Sequence, residues 1–317
     1  MISRELVSLM DLKERNLLTL ADFTPEEIRF LLDESKKLKK QFKAYERTKP
    51  LKGLTLAMIF QKRSTRTRVS TETAMYFLGG HAIFLSADDI QLGAGETIQD
   101  TARVLSRFND GILARVYAHS DVEKLAEYAS IPVINALSDK FHPLQILADL
   151  LTIEEHKGKL KGLKLAWVGD GNNVANSLLI GCSKMGIDMY VATPKGYEIP
   201  EDVVQMCEEF AEESGAKLVM THDPVEAVKD ADVVVTDTFV SMGEEAEAKK
   251  KLEAFKNYVV TEELVANAKP DYIFMHCLPY KHKEAEESVF ESENSVVFDE
   301  AENRLHTTMA VLKNLMG

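Results

Sequence analysis

The sequence predicts an α/β fold of two domains, each a mostly parallel β-sheet flanked by helices and joined by bridging helices. Three observations predict this class. The chain has 317 residues, more than one compact core usually holds. Short apolar runs rich in β-branched residues alternate with longer helical patterns, as in parallel βαβ units. The stretch Lys157–Gly162, rich in lysine and glycine, separates an earlier run of such units from a later one.

The first run begins after a helix start at Thr24-Pro25-Glu26-Glu27, which is a capping box with proline at the first helical position. Apolar runs then predict four strands, at residues 54–60, 82–85, 111–116 and 132–135. Helical patterns lie between them, near residues 68–78, 97–108 and 122–129. These elements predict the first parallel sheet.

The second run predicts five more strands, at residues 164–168, 189–192, 217–220, 233–236 and 272–275. A helix at 144–155 would bridge the two runs. The last helix, 299–315, has no strand after it and would pack back on the first domain. We therefore expect one domain from residues 1–148 with 302–317, and another from 149–301. The lysine run at 249–251 lies in a helical pattern, which favours a solvated helix face.

Composition narrows the classes of partner. A formal net charge of −13 argues against nucleic acid and against an anionic membrane surface. The three cysteines, Cys182, Cys207 and Cys277, have no paired spacing, which argues against a disulfide framework or a structural zinc site. The first twenty residues fit neither a secretory signal nor a transit peptide, and no apolar run reaches membrane-spanning length. We expect a cytoplasmic protein.

The segment Gln61–Arg68 follows the first predicted strand and begins a helix. Helix starts bind anions, because unpaired N–H groups and the positive end of the helix dipole meet there. Ser64, Thr65, Arg66 and Thr67 add further donors to the same point. A solvated basic N-cap is the alternative. The chain contains no Walker phosphate-binding motif, so the pattern favours a small phosphorylated molecule over a nucleoside triphosphate.

Polar residues follow several predicted strands, where ligands of parallel sheets bind. Arg115 stands in an otherwise apolar strand, so it needs a counter-charge such as a phosphate or a carboxylate. His142 could bind a ligand or simply cap its helix, and Cys277 could be an inert core thiol. Gly169-x-Gly171 resembles a dinucleotide fingerprint, but position 174 is Val, which disfavours nicotinamide binding and a dehydrogenase.

Four motifs together resemble the ornithine carbamoyltransferases, in order and at fitting separations: Ser64-Thr65-Arg66-Thr67-Arg68, His142-Pro143-Leu144-Gln145, Asp237 with Ser241-Met242-Gly243, and His276-Cys277-Leu278-Pro279. The resemblance spans almost the whole chain. The first two motifs are shared by carbamoyltransferases in general, whereas the last two mark the ornithine branch. Asn176 departs from the family pattern, in which many relatives carry histidine, and the loop around Gln91 is less charged than expected.

The resemblance implies two sets of site residues. Carbamoyl phosphate would be bound by Ser64, Thr65, Arg66, Thr67, Gln91, Arg115, His142, Gln145, Cys277, Leu278 and Arg304. Ornithine would be bound by Asn173, Asp237, Ser241 and Met242. Arg66, Arg115, His142 and Cys277 would be the catalytic residues.

The resemblance also implies a reaction and an assembly. A one-carbon transferase of this family moves the carbamoyl group of carbamoyl phosphate to the δ-amine of L-ornithine, giving L-citrulline and phosphate in arginine metabolism. That reaction requires no metal and no cofactor. The Gln91 loop would reach into a neighbouring subunit, which implies a homotrimer or an assembly of trimers.

Two alternatives are weighed against this prediction. A sister carbamoyltransferase would use aspartate, putrescine or an acylated ornithine, and Ser241-Met242-Gly243 disfavours it. A catalytically silent paralogue would have lost some of Arg66, Arg115, His142 or Cys277, and the sequence retains all four.

Overall fold

The computed structural model of the protein describes residues 11–86, 95–240 and 248–317. Of the predicted site residues, Gln91, Ser241 and Met242 lie outside these ranges. The chain divides into two compact units: unit 1 comprises Met1–Ala148 with Glu302–Gly317, and unit 2 comprises Asp149–Ala301. Each unit contains a parallel sheet with helices packed on it, so the predicted fold class is confirmed.

Unit 1 is built on a four-stranded parallel sheet with the order β2-β1-β3-β4 among the described residues. After a short 3-10 helix at Leu20–Asp22, its elements in chain order are α1 Pro25–Lys43, β1 Thr55–Phe60, α2 Thr65–Leu78, β2 His81–Ser86, α3 Ile98–Phe108, β3 Gly111–Arg115, α4 His119–Tyr128 and β4 Val133–Leu137. The next helix, α5, spans Pro143–Lys157.

Local signals set the helix ends of unit 1. The capping box at Thr24 is present, with the hydroxyl accepting from the Glu27 N–H and the Glu27 carboxylate accepting from the Thr24 N–H. At the C-terminal end of the next helix, α2, Gly79 has φ 87°, a left-handed conformation that glycine adopts without steric cost. On α1, Ile28, Leu31 and Leu38 form a fully buried stripe. Each such side chain stabilises the fold by about 1.5–3 kcal/mol.

Unit 2 has a five-stranded parallel sheet with the order β7-β6-β5-β8-β9 among the described residues. Its elements in chain order are β5 Lys164–Val168, α6 Asn173–Met185, β6 Asp188–Ala192, α7 Glu201–Ser214, β7 Leu218–Thr221, α8 Pro224–Val228, β8 Val233–Thr236, α9 Ala248–Ala254, α10 Glu262–Val265, β9 Ile273–His276 and α11 Glu287–Phe290. The final helix, α12, spans Val297–Met316.

The strand registers bring the predicted site residues to one edge of each sheet. In unit 1, Phe60 of β1 pairs with Arg115 of β3, so Arg115 lies beside the start of the loop that leads into α2. In unit 2, Thr236 of β8 pairs with His276 of β9. Asp237 and Cys277 directly follow the ends of these neighbouring strands. The order of the strands therefore groups residues that are far apart in sequence.

The register of the β3–β4 pairing shifts between Ala114 and Arg115. One detail differs from the sequence predictions. The lysine run at 249–251 is not wholly a solvated face: Lys251 is buried, and its ammonium pairs with the carboxylate of Asp170. Helical periodicity alone does not show this, because a buried lysine needs a partner from elsewhere in the chain.

Candidate active site

The start of α2 in unit 1 has the features of an anion site. Ser64 is the N-cap residue, and its hydroxyl oxygen accepts from the N–H of Thr67 at 3.2 Å. Thr65 is exposed, Arg66 is half-buried and Thr67 is buried. N–H groups of the first helical turn and the positive end of the helix dipole lie at this point. The predicted segment is therefore an N-terminal turn in which hydroxyl and guanidinium groups accompany the backbone donors.

Arg304, from α12, joins this turn to a second motif. Its Nη2 donates to Oγ1 of Thr67 at 3.1 Å, and its Nη1 donates to Oε1 of Gln145 at 2.6 Å. All three side chains are buried. Hydrogen bonds from a charged donor are stronger than neutral ones, so Arg304 fixes both partners.

His142 lies immediately before α5, and its side chain is buried. Its carbonyl accepts from the N–H groups of Gln145 and Ile146, so its backbone begins the helix. Burial holds the pKa of the imidazole well below its usual range, and the positive charges of Arg304, Arg115 and Arg66 lower it further. The ring is therefore neutral near pH 7. The sequence also allowed His142 simply to cap its helix, and its backbone does begin the helix, but that role does not involve the imidazole.

We call Ser64, Arg66, Thr67, Arg115, His142, Gln145 and Arg304 the phosphate cluster. Arg115 is buried at the end of β3, and its backbone carbonyl accepts from the N–H of Gln61 at 2.8 Å. Three guanidinium groups act on one neutral imidazole, which produces a strongly positive local field. The chain carries a net charge of −13, so this field attracts anions against the overall background.

In unit 2, Asp237 is the centre of a second group of polar side chains. Its Oδ1 accepts from the thiol of Cys277 at 3.1 Å and from the N–H of Thr238 at 2.7 Å. Its Oδ2 accepts from the side-chain amide of Asn172 at 2.9 Å. Asn172 is also the N-cap of α6, because its Oδ1 accepts from the N–H groups of Val174 and Ala175. We call Asn172, Asp237, Cys277 and Leu278 the acceptor cluster.

Cys277 is held as a neutral thiol. Burial raises its pKa well above the usual range, and the negative charges of Asp237 and Glu300 raise it further. A thiol donates to a carboxylate, as the contact with Asp237 requires. The inert-core alternative does not describe this residue, which is half-buried and bonded to a charged group.

Buried groups behind Cys277 hold its backbone. The imidazole of His276 bonds through Nε2 to Oε1 of Glu284 at 2.9 Å and accepts at Nδ1 from the N–H of Leu278 at 2.8 Å. The His276 N–H donates to Glu300 at 2.9 Å. Leu278 has φ 60°, an uncommon value for a residue with a side chain. The imidazole hydrogen bond helps to hold Leu278 in that conformation.

Asp237, His276 and Cys277 also have the composition of a metal site. One ligand atom from each lies within 4.8 Å of the others. Both ring nitrogens of His276 already have partners, Glu284 and Leu278, and Cys277 is a protonated thiol. A metal ion would have to displace one of those hydrogen bonds and the thiol proton, so the donors as arranged fit a metal poorly.

The structure brings together most of the predicted residues that it describes, in two groups. Asn173 is the first residue of α6, and its neighbour Asn172 makes the contact with Asp237. Sequence reasoning did not identify Asn172, Glu284 or Glu300. An asparagine at an N-cap is a signal that could have identified Asn172, whereas nothing in the local sequence marks the two buried glutamates.

Gly171 has a packing role in the loop that resembled a dinucleotide fingerprint. A Cβ at this position would lie 2.4 Å from the backbone carbonyl carbon of Glu198. The Gly171 N–H donates to the carbonyl of Tyr197 at 2.8 Å. The glycine therefore permits close backbone packing within unit 2, which explains the pattern without a nucleotide.

Comparison with known proteins assigns the chain to a family. The model described as "Aspartate/ornithine carbamoyltransferase, carbamoyl-P binding domain" matches residues 15–155. The model described as "Aspartate/ornithine carbamoyltransferase, Asp/Orn binding domain" matches residues 161–315. The chain therefore belongs to the aspartate/ornithine carbamoyltransferase family, and the resemblance inferred from the motifs is confirmed.

Three similar proteins of that family are named ornithine carbamoyltransferase. The chain is 58% identical over 309 residues to the ornithine carbamoyltransferase of Pyrococcus abyssi, covering 97% of this chain and 98% of that protein. It is 53% identical over 304 residues to the ornithine carbamoyltransferase of Bacillus subtilis, covering 95% and 94%. The solved structure of ornithine carbamoyltransferase from Pyrococcus furiosus has a TM-score of 0.95 and 56% identity, covering 98% of this chain and 99% of that one.

Proposed function

We propose that this chain is an ornithine carbamoyltransferase, which transfers the carbamoyl group of carbamoyl phosphate to the δ-amine of L-ornithine in arginine biosynthesis. The observation that carries the proposal is the phosphate cluster, in which a neutral His142 lies in the field of three arginines. A phosphate is bound by cationic and N–H donors, and a neutral imidazole close to them can donate its N–H to a carbamoyl oxygen. The near full-length relatives named ornithine carbamoyltransferase support the choice of acceptor.

Carbamoyl phosphate would bind to unit 1. Its phosphate would lie at the start of α2, against the N–H groups, Ser64, Thr65 and Thr67, with Arg66 and Arg115 supplying charge. The imidazole of His142 would donate to the carbonyl oxygen. Gln145 and Arg304, which already bond one another, would hold the carbamoyl end.

Ornithine would bind to unit 2. Asp237 would pair with the α-ammonium, and Asn173 would offer amide donors to the α-carboxylate. Cys277 and Leu278 would lie where the δ-amine meets the carbonyl carbon. Ser241 and Met242 complete the proposed set, and Gln91 would come from a neighbouring subunit.

The chemical step is an addition followed by an elimination. The δ-amine must lose a proton, because only its lone pair can attack, and like a lysine amine it is mostly protonated at neutral pH. The new C–N bond forms as the carbonyl π electrons move to oxygen, and the C–O bond to phosphate then breaks. Citrulline and inorganic phosphate leave. The attacking nitrogen also gives up a proton as the intermediate collapses, and the departing phosphate takes it, so no protein base is needed for that step. Cys277, a protonated thiol, keeps its own proton on Sγ.

Charge that develops during this step falls on two sites. The carbonyl oxygen becomes an oxyanion near His142, and the leaving phosphate gains charge near Arg66 and Arg115. A preorganised donor at such a position is worth about 2.7–4 kcal/mol in the transition state. Because these donors are fixed before the reaction, little reorganisation is needed during it.

The decisive experiment measures the carbamoylated product of each acceptor, citrulline in the case of ornithine, with purified protein, carbamoyl phosphate and a panel of acceptors. We expect ornithine to be used, and aspartate, putrescine and N-acylornithine to give less than about 1% of its kcat/KM. Preference for another acceptor would assign the chain to a sister activity. Absence of any carbamoyl transfer would identify a silent paralogue.

We also propose a cytoplasmic homotrimer or an assembly of trimers. None of the helices in the described ranges combines the length and apolar character that a membrane span requires. Tyr76 on α2 and Phe108 on α3 are 77% and 74% exposed in the isolated chain, and we choose them as candidate subunit contacts because aromatic residues are enriched at interfaces. Light scattering should give a mass of three chains or a multiple, which Tyr76→Glu with Phe108→Glu should reduce. Phe298→Glu, which changes an exposed aromatic residue of unit 2, is the matched control.

A further inference from the structure

A buried ion pair in unit 2 lies outside both clusters. The Nζ of Lys251 is 2.6 Å from Oδ2 of Asp170, and both side chains are buried. Two charges removed from water are stable only when paired and hydrogen-bonded, so each residue restrains the other. Lys256 and Glu253, close by in sequence, form a pair of the same length whose side chains are exposed. An exposed pair contributes little, so it provides an internal comparison.

Lys251 fixes one end of this contact to α9. The structure describes all seven residues of this helix, and Lys251 is the one whose side chain is buried. The backbone carbonyl of Lys251 accepts from the N–H of Phe255 at 3.0 Å, and Phe255 belongs to the core of unit 2. The short, lysine-rich helix is thus held both by this buried charge and by Leu252 and Ala254, which pack against the same core.

Asp170 fixes the other end to the loop between β5 and α6. Its carbonyl accepts from the indole N–H of the fully buried Trp167 at 3.1 Å. The next residue, Gly171, packs against the backbone at Glu198 too closely for any side chain. Asn172 follows, and its amide donates to Asp237. The ion pair therefore restrains a tight loop whose last residue orients the central carboxylate of the acceptor cluster.

Asp237 follows β8, and α9, which begins at Ala248, is the next described element along the chain. The Asp170–Lys251 pair joins α9 to the loop that carries Asn172, and Asn172 contacts Asp237.

We propose that Asp170 and Lys251 are a positioning pair for the acceptor amino acid, acting through Asn172 on Asp237. This inference rests on the proposed function and adds two residues that touch neither the substrates nor the reacting atoms. The pair sets the orientation of the Asp237 carboxylate and the anchorage of α9. The phosphate of carbamoyl phosphate is assigned to unit 1, so the affinity for this substrate should depend on the pair much less than the affinity for ornithine.

The test compares the KM values for the two substrates. In Lys251→Met we expect the KM for ornithine to rise at least about tenfold, because small misplacements of positioning groups have large kinetic effects, while that for carbamoyl phosphate stays within about twofold. Lys251→Arg keeps the charge and should recover most of the parental value. Lys256→Met removes the exposed pair and should leave both KM values unchanged.

The double variant Asp170→Asn with Lys251→Met separates positioning from stability. It removes both charges, so no unpaired charge is left buried, and it should fold even where Lys251→Met does not. We expect its KM for ornithine to remain raised. A folded double variant with the parental KM, or an equal rise for both substrates, would overturn the inference. If the unmodified enzyme makes no citrulline, the proposed function fails and this inference with it, whereas an active parent with insensitive variants refutes this inference alone.

Discussion

Arg304 offers the sharpest test of the phosphate cluster, because one buried side chain bonds two of its members. Replacing it by methionine keeps the volume approximately but removes the donors to Thr67 and Gln145. Each hydrogen bond from a charged donor contributes about 1.5–3 kcal/mol, so the two together contribute about 3–6 kcal/mol. If both act in the transition state, kcat/KM for carbamoyl phosphate should fall by about 10²–10⁴.

The assay measures initial rates of citrulline formation against carbamoyl phosphate at saturating ornithine. Lys313→Met is the matched control on the same helix: it removes an ion pair with Glu34, at 2.7 Å, that is not part of the cluster. The control should change kcat/KM by less than about twofold, while both variants retain a cooperative unfolding transition. A folded Arg304→Met enzyme within about threefold of the parent, or a control with the same loss, would refute the reasoning.

Three further predictions follow from buried titratable groups. The folded-state pKa of His142 lies well below its ordinary value of 6.5, so below about pH 6.5 the unfolded chain binds a proton that the native protein does not. The free energy of unfolding should therefore fall as the pH drops, and His142→Gln should show a shallower fall in urea titrations. Iodoacetamide should label Cys277 more slowly than free cysteine, as measured by mass spectrometry, because the thiol pKa is raised. Asp237→Asn removes a negative charge that raises this pKa and should accelerate labelling; an unchanged rate would show that the Asp237 charge does not control the reactivity of the thiol. Burial raises the pKa of the Glu284 carboxyl, but the hydrogen bonds from His276 and nearby backbone N–H groups lower it more, so the group is an ionised acceptor. Glu284→Gln should therefore lower the free energy of unfolding by about 1.5–3 kcal/mol, and an unchanged urea midpoint would rule out an ionised Glu284.

The residues that could be predicted from the sequence are those with a local signature. Ser64 and Thr67 stand at a strand-to-helix junction, and Arg115 is a charge in an apolar strand, so each is conspicuous in its own segment. The strands were likewise predictable, because apolar runs between turn residues define them. Arg304 had no such signature, since its partner Gln145 lies 159 positions away; only the family resemblance indicated it.

The residues that were missed share a different property. Glu284, Glu300 and Lys251 are charged residues of kinds that are usually solvated, and their burial becomes visible only when distant segments pack together. The family resemblance indicated Asn173, which stays a prediction, and did not indicate the capping role of Asn172, which requires the helix boundary to within one residue. Packing, rather than composition, therefore determines which polar groups support the site.

The composition of unit 1 has a consequence for how the protein is made. Residues 302–317 belong to that unit, and they leave the ribosome only after all of unit 2 has been synthesised. Within them, Lys313 bonds Glu34, and the carbonyl of Leu315 accepts from the N–H of Glu14. A nascent chain ending at residue 148 would lack these contacts and the guanidinium of Arg304, so affinity for carbamoyl phosphate should develop late, after translation has passed the second sheet.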